Sequence, residues 1–157
     1  MSVTIPISIC LDFYTEASIQ SVFDILADVP RSVSHFPKVE ELVDLGGGKY
    51  RWEMEKMGSQ NYYFQVRYTA RYRSNPTEKW VRWDRVSEGN GEFSGCLELR
   101  QEGTRTHVHF ENKGHLELPF PRLTKKIVKP FVLNKFQELF DIYIANLQQT
   151  FSATVSK

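Results

Sequence analysis

The stretch KPFVLNKFQELFDIYIANLQQTF, residues 129–151, limits the possible folds more than any other part of the chain. A helix advances about 100° per residue. On that wheel Val132, Leu133, Phe136, Leu139, Phe140, Tyr143, Ile144, Leu147 and Phe151 share an arc of roughly 140°, wider than the stripe a docked helix needs. Asn134, Gln137, Glu138, Asp141 and Gln148 take the other side, and Phe131 and Ile142 widen the apolar surface further. Such a helix must be covered by something large and concave.

The rest of the chain supplies strands. Val3, Ile5, Ile7, Ile9, Leu11 and Phe13 alternate with mostly polar neighbours, the pattern of a half-buried strand. Thr15 is positioned to cap a helix whose face is Ile19, Val22, Phe23 and Leu26, ending at Ala27–Pro30, and a second short helix is expected from Pro30 to Phe36. From Val39 to Pro119 the period is two, punctuated by Gly46-Gly47-Gly48, Gly58-Ser59, Asn75-Pro76, Gly89-Asn90-Gly91 and Gly103. One long strand is expected to carry Tyr62, Phe64, Val66, Tyr68, Ala70 and Tyr72 on a single face. Strands joined by short turns form an antiparallel sheet, here dry on one face and wet on the other. The expected fold is α+β: two short helices after the first strand, then a curved antiparallel sheet of about seven strands around a long C-terminal helix. A sheet of that width curls, and the helix is the one element able to fill the hollow.

Composition adds one unusual note. Aromatic residues make up 13% of the 157, with eleven Phe, seven Tyr and three Trp, and such rings both fill cores and line pockets for flat or greasy ligands. A formal charge of +1 gives no global pull toward nucleic acid. Cys10 and Cys96 are too few and too far apart for a disulfide framework, so they read as reduced, mostly buried thiols. The N-terminus lacks a basic region before its interrupted apolar run, and no window approaches a membrane span. One cytoplasmic domain over residues 1–157 is the expectation.

The inward phase proposes the lining: Tyr50, Trp52, Met54, Tyr62, Phe64, Val66, Tyr68, Tyr72, Phe93, Leu97, Val108 and Phe110, facing Phe136, Leu139, Phe140 and Tyr143. Of these, Trp52, Met54, Tyr62, Phe64, Tyr68, Tyr72, Phe93, Phe110, Phe136, Leu139, Phe140 and Tyr143 are the candidate ligand-binding residues. Buried tyrosine hydroxyls need partners, and a ligand carbonyl is one. His107, His109 and His115, with Glu111, form a nitrogen and oxygen set at strand spacing. If Val108 and Phe110 point inward, however, those histidines face solvent, so no metal is expected. His35 is either a rim or a surface residue. Whether Arg82, Asp84 and Arg85 face inward depends on the phase of WVRWDRV, which the alternation leaves open. No P-loop, dinucleotide fingerprint or nucleophile elbow is present, and no cofactor is expected. The arginines of the wet face have glutamates beside them, which favours cross-strand pairing over a nucleic-acid surface. Finally, LPFPRLTKKIVKPF sets Phe120 between prolines and clusters Arg122, Lys125, Lys126 and Lys129, a candidate peripheral membrane contact that could also gate the cavity. Pro130 there implies a kink or a fresh helix start.

The order of elements, carried by ASIQSVFDILADVPRSVSHFPKVEELVDLGGGKYRWEME and LELPFPRLTKKIVKPFVLNKFQELFDIYIANL, resembles the START-like superfamily, also called the polyketide cyclase or helix-grip fold. It is nearest to bacterial stand-alone proteins similar to the coenzyme Q-binding and carbon monoxide dehydrogenase-associated groups. The resemblance implies a cavity between sheet and helix for a lipid, quinone, sterol or polyketide. The leading expectation is binding or transport of a hydrophobic small molecule. The alternatives are a cyclase or dehydratase using an inner-face tyrosine and a charged residue, and a module that docks on a membrane or partner.

Overall fold

The computed structural model describes residues 2–59 and 62–155, and everything below concerns those residues. Strand β1 (Val3–Thr15) is followed by helices α1 (Ile19–Ala27) and α2 (Val29–Val33), then by β2 (Val39–Gly46) and β3 (Lys49–Met54). The short strands β4 (Met57–Ser59) and β5 (Tyr62–Phe64) come next. After them run β6 (Arg67–Asn75), β7 (Trp80–Gly89), β8 (Gly91–Glu102) and β9 (Arg105–Leu118). One 3-10 turn, Arg122–Thr124, leads into the long helix α3 (Lys125–Val155). Seven strands form one antiparallel sheet in the order β1-β9-β8-β7-β6-β3-β2, while β4 and β5 pair only with each other. No helix is long and apolar enough to cross a membrane.

Several local features depart from the sequence expectations. The cap of α1 is Ser18, whose Oγ accepts from the Ser21 amide at 3.1 Å. Thr15 instead accepts the Ala17 amide at 3.2 Å and stays in β1. Helix α2 begins earlier than expected because Asp28 caps it, accepting from the Arg31 amide. The long strand expected over Tyr62–Tyr72 breaks at Gln65-Val66. There the Val66 carbonyl accepts from the Met54 amide and Gln65 Nε2 donates to the Met54 carbonyl. The inward phase survives the break: Phe64, Val66, Tyr68 and Ala70 are all buried.

Pro130 neither kinks the chain out of helix nor restarts it. It lies inside α3, which is continuous from Lys125. The carbonyl deprived of a donor belongs to Lys126, on the exposed first turns. In the turn between β2 and β3, Gly46, Gly47 and Gly48 all have positive φ. A Cβ on Gly48 would also lie 2.5 Å from the Tyr72 carbonyl oxygen, so no other residue fits there.

The apolar arc of α3 meets the concave face of the sheet. Val128, Val132, Phe136, Leu139, Phe140, Tyr143, Leu147 and Phe151 are buried, at the three- and four-residue spacing of one helical face. Phe151 stacks on Phe13 of β1, with ring centroids 6.4 Å apart. Phe131 meets Phe64 edge-on at 6.2 Å. The outer face is wet and charged: Glu53 pairs with Arg67 at 3.1 Å and Arg51 at 3.4 Å, and Arg73 pairs with Asp84 at 3.4 Å. The two cross-strand pairs, Arg67–Glu53 and Arg73–Asp84, account for most of the basic character seen along β6.

Because Phe151 is fully buried, Phe151→Ala should lower the free energy of unfolding by about 3–5 kcal/mol. Ile142→Ala, on the exposed side of the same helix, should change it by less than about 0.5 kcal/mol. Urea titration of both variants measures the difference directly.

Candidate functional site

Between the sheet, α2 and the second half of α3 lies a cavity of about 50 Å³. Each side of it has a different source. The sheet contributes Trp52 from β3, Tyr68 and Tyr72 from β6, Val81 and Trp83 from β7, Leu97 from β8, and Phe110 and Asn112 from β9. Leu26 of α1, then Val29, Ser32 and Val33 of α2, then Phe36, close one side, and Phe140 and Tyr143 of α3 close the other.

Six of these rings form a closed belt. Phe36 meets Trp52 edge-on at 5.4 Å and Phe140 at 5.1 Å. Phe140 meets Phe110 at 5.2 Å, Phe110 meets Trp83 at 5.6 Å, and Trp83 meets Tyr72 at 5.8 Å. The loop closes where Trp52 Nε1 donates to the Tyr72 hydroxyl at 2.9 Å. Tilted and edge-on contacts suit aromatic quadrupoles, and rings held this way cannot collapse into the middle. Gly95 makes the belt feasible: a Cβ there would lie 2.8 Å from Trp83 Cζ2 and 2.0 Å from the Glu111 carbonyl oxygen.

The polar groups in the wall are mostly satisfied. Trp83 Nε1 donates to Asn112 Oδ1 at 2.9 Å, and the Ser32 and Tyr143 hydroxyls share a 2.7 Å bond. Two further bonds clamp α2 to α3. Asn146 Nδ2 donates to the His35 carbonyl at 2.9 Å, and His35 Nε2 lies 2.8 Å from Thr150 Oγ1. His35 Nδ1 faces the Arg31 carbonyl at 2.9 Å, and since a carbonyl only accepts, that nitrogen is the donor. His35 is therefore a structural bridge.

Tyr68 is one exception. It is 9% exposed, lies flat against Trp52 at 5.2 Å, and its hydroxyl makes no hydrogen bond to any described residue. Burial, reinforced by the neighbouring Tyr72 and Tyr143, holds its pKa well above the ordinary tyrosine value. It therefore remains a neutral donor in an apolar wall. Burial likewise pushes Tyr143 up to about 12, moderated by the bond from Ser32.

Of the twelve residues proposed from sequence, Trp52, Tyr68, Tyr72, Phe110, Phe140 and Tyr143 come together around the cavity. Met54, Phe64, Phe93, Phe136 and Leu139 are buried beside it in solid packing, where Phe93 touches Tyr68 at 4.9 Å and Phe136 at 6.2 Å. Tyr62 sits apart, half-buried against Phe120 at 5.6 Å. Leu26, Val29, Ser32 and Val33 of the two short helices were missed, as were Phe36, Val81 and Trp83. The signal for the last two was the charge on Arg82 and Asp84, which forces that phase outward, and Arg82, Asp84 and Arg85 are all exposed. The basic segment does not gate the cavity, since none of its residues reach the wall. Instead an outer groove beside β2 shares Val33 and Phe36 with the cavity, so these two side chains lie between groove and cavity.

His107, His109 and His115 lie on the outer face of β9, as the phase of Val108 and Phe110 requires. The two thiols do not behave as expected: Cys10 is exposed and Cys96 half-buried, both on that outer face. Strand β1 alternates cleanly, and Cys10 falls in its wet phase.

Tyr143→Phe strands the buried Ser32 hydroxyl and should cost about 1–3 kcal/mol, whereas Tyr68→Phe breaks no protein hydrogen bond and should leave stability unchanged or slightly raised. The raised pKa of Tyr143 also sets a pH dependence. Its contribution is complete below the unfolded tyrosine value near 10 and is lost as pH climbs toward about 12. Denaturant melts at stepped alkaline pH should show that fall, and Tyr143→Phe should make it shallower, with the buried Tyr68 and Tyr72 supplying the remainder.

No protein-family model matches the sequence, and comparison with curated proteins finds no match. Solved structures do match. TTHA0849 of Thermus thermophilus aligns at a TM-score of 0.74 with 20% identity, covering 94% of this chain and 98% of its own. The Zhui aromatase/cyclase of a Streptomyces species aligns at 0.70 with 14% identity over 96% of both chains. A START superfamily protein of Mycobacterium smegmatis aligns at 0.69 with 13% identity, covering 94% and 98%. At such identities the likeness speaks for architecture, and the architecture is that of the START-like, polyketide cyclase helix-grip fold.

Proposed function

We propose that the chain is a single cytoplasmic unit that binds a hydrophobic small molecule of lipid, quinone or isoprenoid type, with an oxygen of the ligand placed at Tyr68. Tyr68, which lines the cavity and whose hydroxyl has no hydrogen-bond partner among the described residues, carries this reading. A hydroxyl left open to the cavity can donate to a ligand carbonyl in place of water, and such a bond contributes about 1 kcal/mol. Around that anchor the ring belt offers flat faces and edges, and apolar ligand surface leaving water contributes about 25 cal/mol per Å². The resting cavity, about 50 Å³, suits a few waters or the tip of a ligand. A ring-bearing head therefore enters by displacing Val33 and Phe36 toward the outer groove.

The aromatase/cyclase neighbour raises a catalytic alternative. Proton transfer to a substrate carbon needs a group that titrates near neutral pH. Among the described residues the wall holds tyrosines, a serine and an asparagine, and no carboxylate, lysine, arginine or histidine. Burial keeps the tyrosines protonated. Binding without turnover is the reading these groups favour.

Organic extraction of purified protein followed by mass spectrometry should recover the ligand. Its titration should quench Trp52 and Trp83 fluorescence, with affinity about tenfold weaker in Tyr68→Phe, matching one hydrogen bond. Equal affinity of the two proteins for every recovered compound would remove the Tyr68 anchor.

A second surface supports a membrane role. Phe120, expected as the exposed tip, folds back on Tyr62, whereas Leu123 is 96% and Ile127 60% exposed. Arg122, Lys125, Lys126 and Lys129 surround these two side chains, all exposed. Each cation near an anionic bilayer contributes about 1 kcal/mol, and the two aliphatic tips enter the headgroup layer. Vesicles containing phosphatidylserine should carry the protein in flotation at low salt. The double variant Leu123→Asp, Ile127→Asp should stay behind, and failure of the wild type to float would discard this surface.

A further inference from the structure

The outer face of the sheet, away from the cavity, gathers an unusual set of side chains where β1 pairs with β9. The register sets Cys10 opposite Glu111 and Asp12 opposite His109. Glu111 Oε1 lies 3.2 Å from His109 Nε2 and 3.9 Å from Cys10 Sγ. All three donor atoms fall within 4.8 Å of one another. Zinc bonds of about 2.0–2.3 Å in a tetrahedron place donor atoms roughly 3.3–3.7 Å apart, so small rotamer adjustments bring the three onto one ion.

A second observation points the same way. His109 Nδ1 lies 2.8 Å from Asp12 Oδ1, and that same oxygen is held by His107 Nε2 at 2.8 Å. An imidazole that ligates metal with one nitrogen characteristically gives its other N–H to a carboxylate, which fixes tautomer and ring orientation. Here Nδ1 is committed to Asp12, and Nε2 faces the gap between Cys10 and Glu111. The thiol belongs to the same network, donating to Glu111 Oε1 at 3.9 Å, so sulfur, nitrogen and oxygen atoms converge on one point.

We propose that Cys10, His109 and Glu111 form a binding site for one divalent transition-metal ion of the zinc type, with Asp12 as the positioning residue for His109. A sulfur, nitrogen and oxygen donor set suits zinc or cobalt, and a thiolate with an imidazole argues against calcium or magnesium. Binding releases the Cys10 thiol proton to solvent as the metal–sulfur bond forms. The fourth position points outward, open to water or to a donor from another molecule. The site shares no residue with the cavity and stands whether or not the cavity proposal does.

The test uses tag-free, chelator-stripped protein titrated with Zn²⁺ and, separately, with Co²⁺. One saturable equivalent is expected, with thiolate-to-cobalt charge-transfer absorption. Cys10→Ser should abolish that absorption and weaken binding at least tenfold, and His109→Gln should weaken binding to a similar degree. Asp12→Asn should retain the absorption while losing about tenfold in affinity, the mark of a residue acting through the ligand. Cys96→Ser is the control: its thiol lies 3.7 Å from Glu98 on the far side of Glu111, and its loss should change nothing. Circular dichroism verifies that each surface variant is folded. Absence of saturable binding, or absorption that survives Cys10→Ser or disappears with Cys96→Ser, would overturn the proposal.

Discussion

The burial of one face of α3 against a concave sheet is the contact on which the remaining structure depends. Eight side chains of that helix are buried, and without them the inner face of a seven-stranded sheet would open onto water. The sheet is shaped for this task. Register shifts occur between Val39 and Glu41, between Asp44 and Gly46, and between Tyr68 and Thr69. Irregularities of this kind bend a strand and increase its twist, and twist over seven strands produces curvature.

The two halves of the helix use the hollow differently. Toward its N-terminal half, Phe131 and Phe136 meet Phe64 and Phe93, and the interior is packed solid. Toward its C-terminal half, polar bonds from Ser32, His35 and Asn146 hold α2 at a set distance. Aromatic rings touching at their edges hold the sheet side open. Close packing is the default for a protein interior. Space survives here because directional contacts, rather than unbranched aliphatic chains that would relax into the gap, frame it. Tyr68 sits at that border, with packing on one side and nothing to bond on the other.

Much of this was legible in the residues. Alternation located the sheet and gave the inward phase of β3, β6, β8 and β9, because a charged residue cannot be moved to the dry face cheaply. It left the phase of β7 open, where Val81 and Trp83 point inward. The helical arc identified α3 and its buried face. What alternation cannot report is depth. Phe93 and Phe110 share a phase, yet one is packed solid and the other borders the cavity, since that outcome depends on which residues of α3 and α2 lie opposite. Phe36 was hidden because the sequence placed it at the end of a short helix, whereas α2 stops at Val33 and the turn after it aims the ring inward. The break at Gln65-Val66 was hidden because phase is preserved across it. Cys10 was misjudged through its residue type, since cysteine is usually buried, even though its position in β1 placed it among the polar neighbours.

The strand order has a consequence for how the molecule is made. Strand β1 is hydrogen-bonded along one edge to β9, so that Val3 lies opposite Leu118 and Phe13 opposite Val108. Closing so long a loop is entropically slow, and chains rich in such distant pairings fold late relative to those with local ones. Strands β6 to β9 are neighbours both along the chain and in the sheet, whereas β1 reaches its edge only by closing a loop of about a hundred residues.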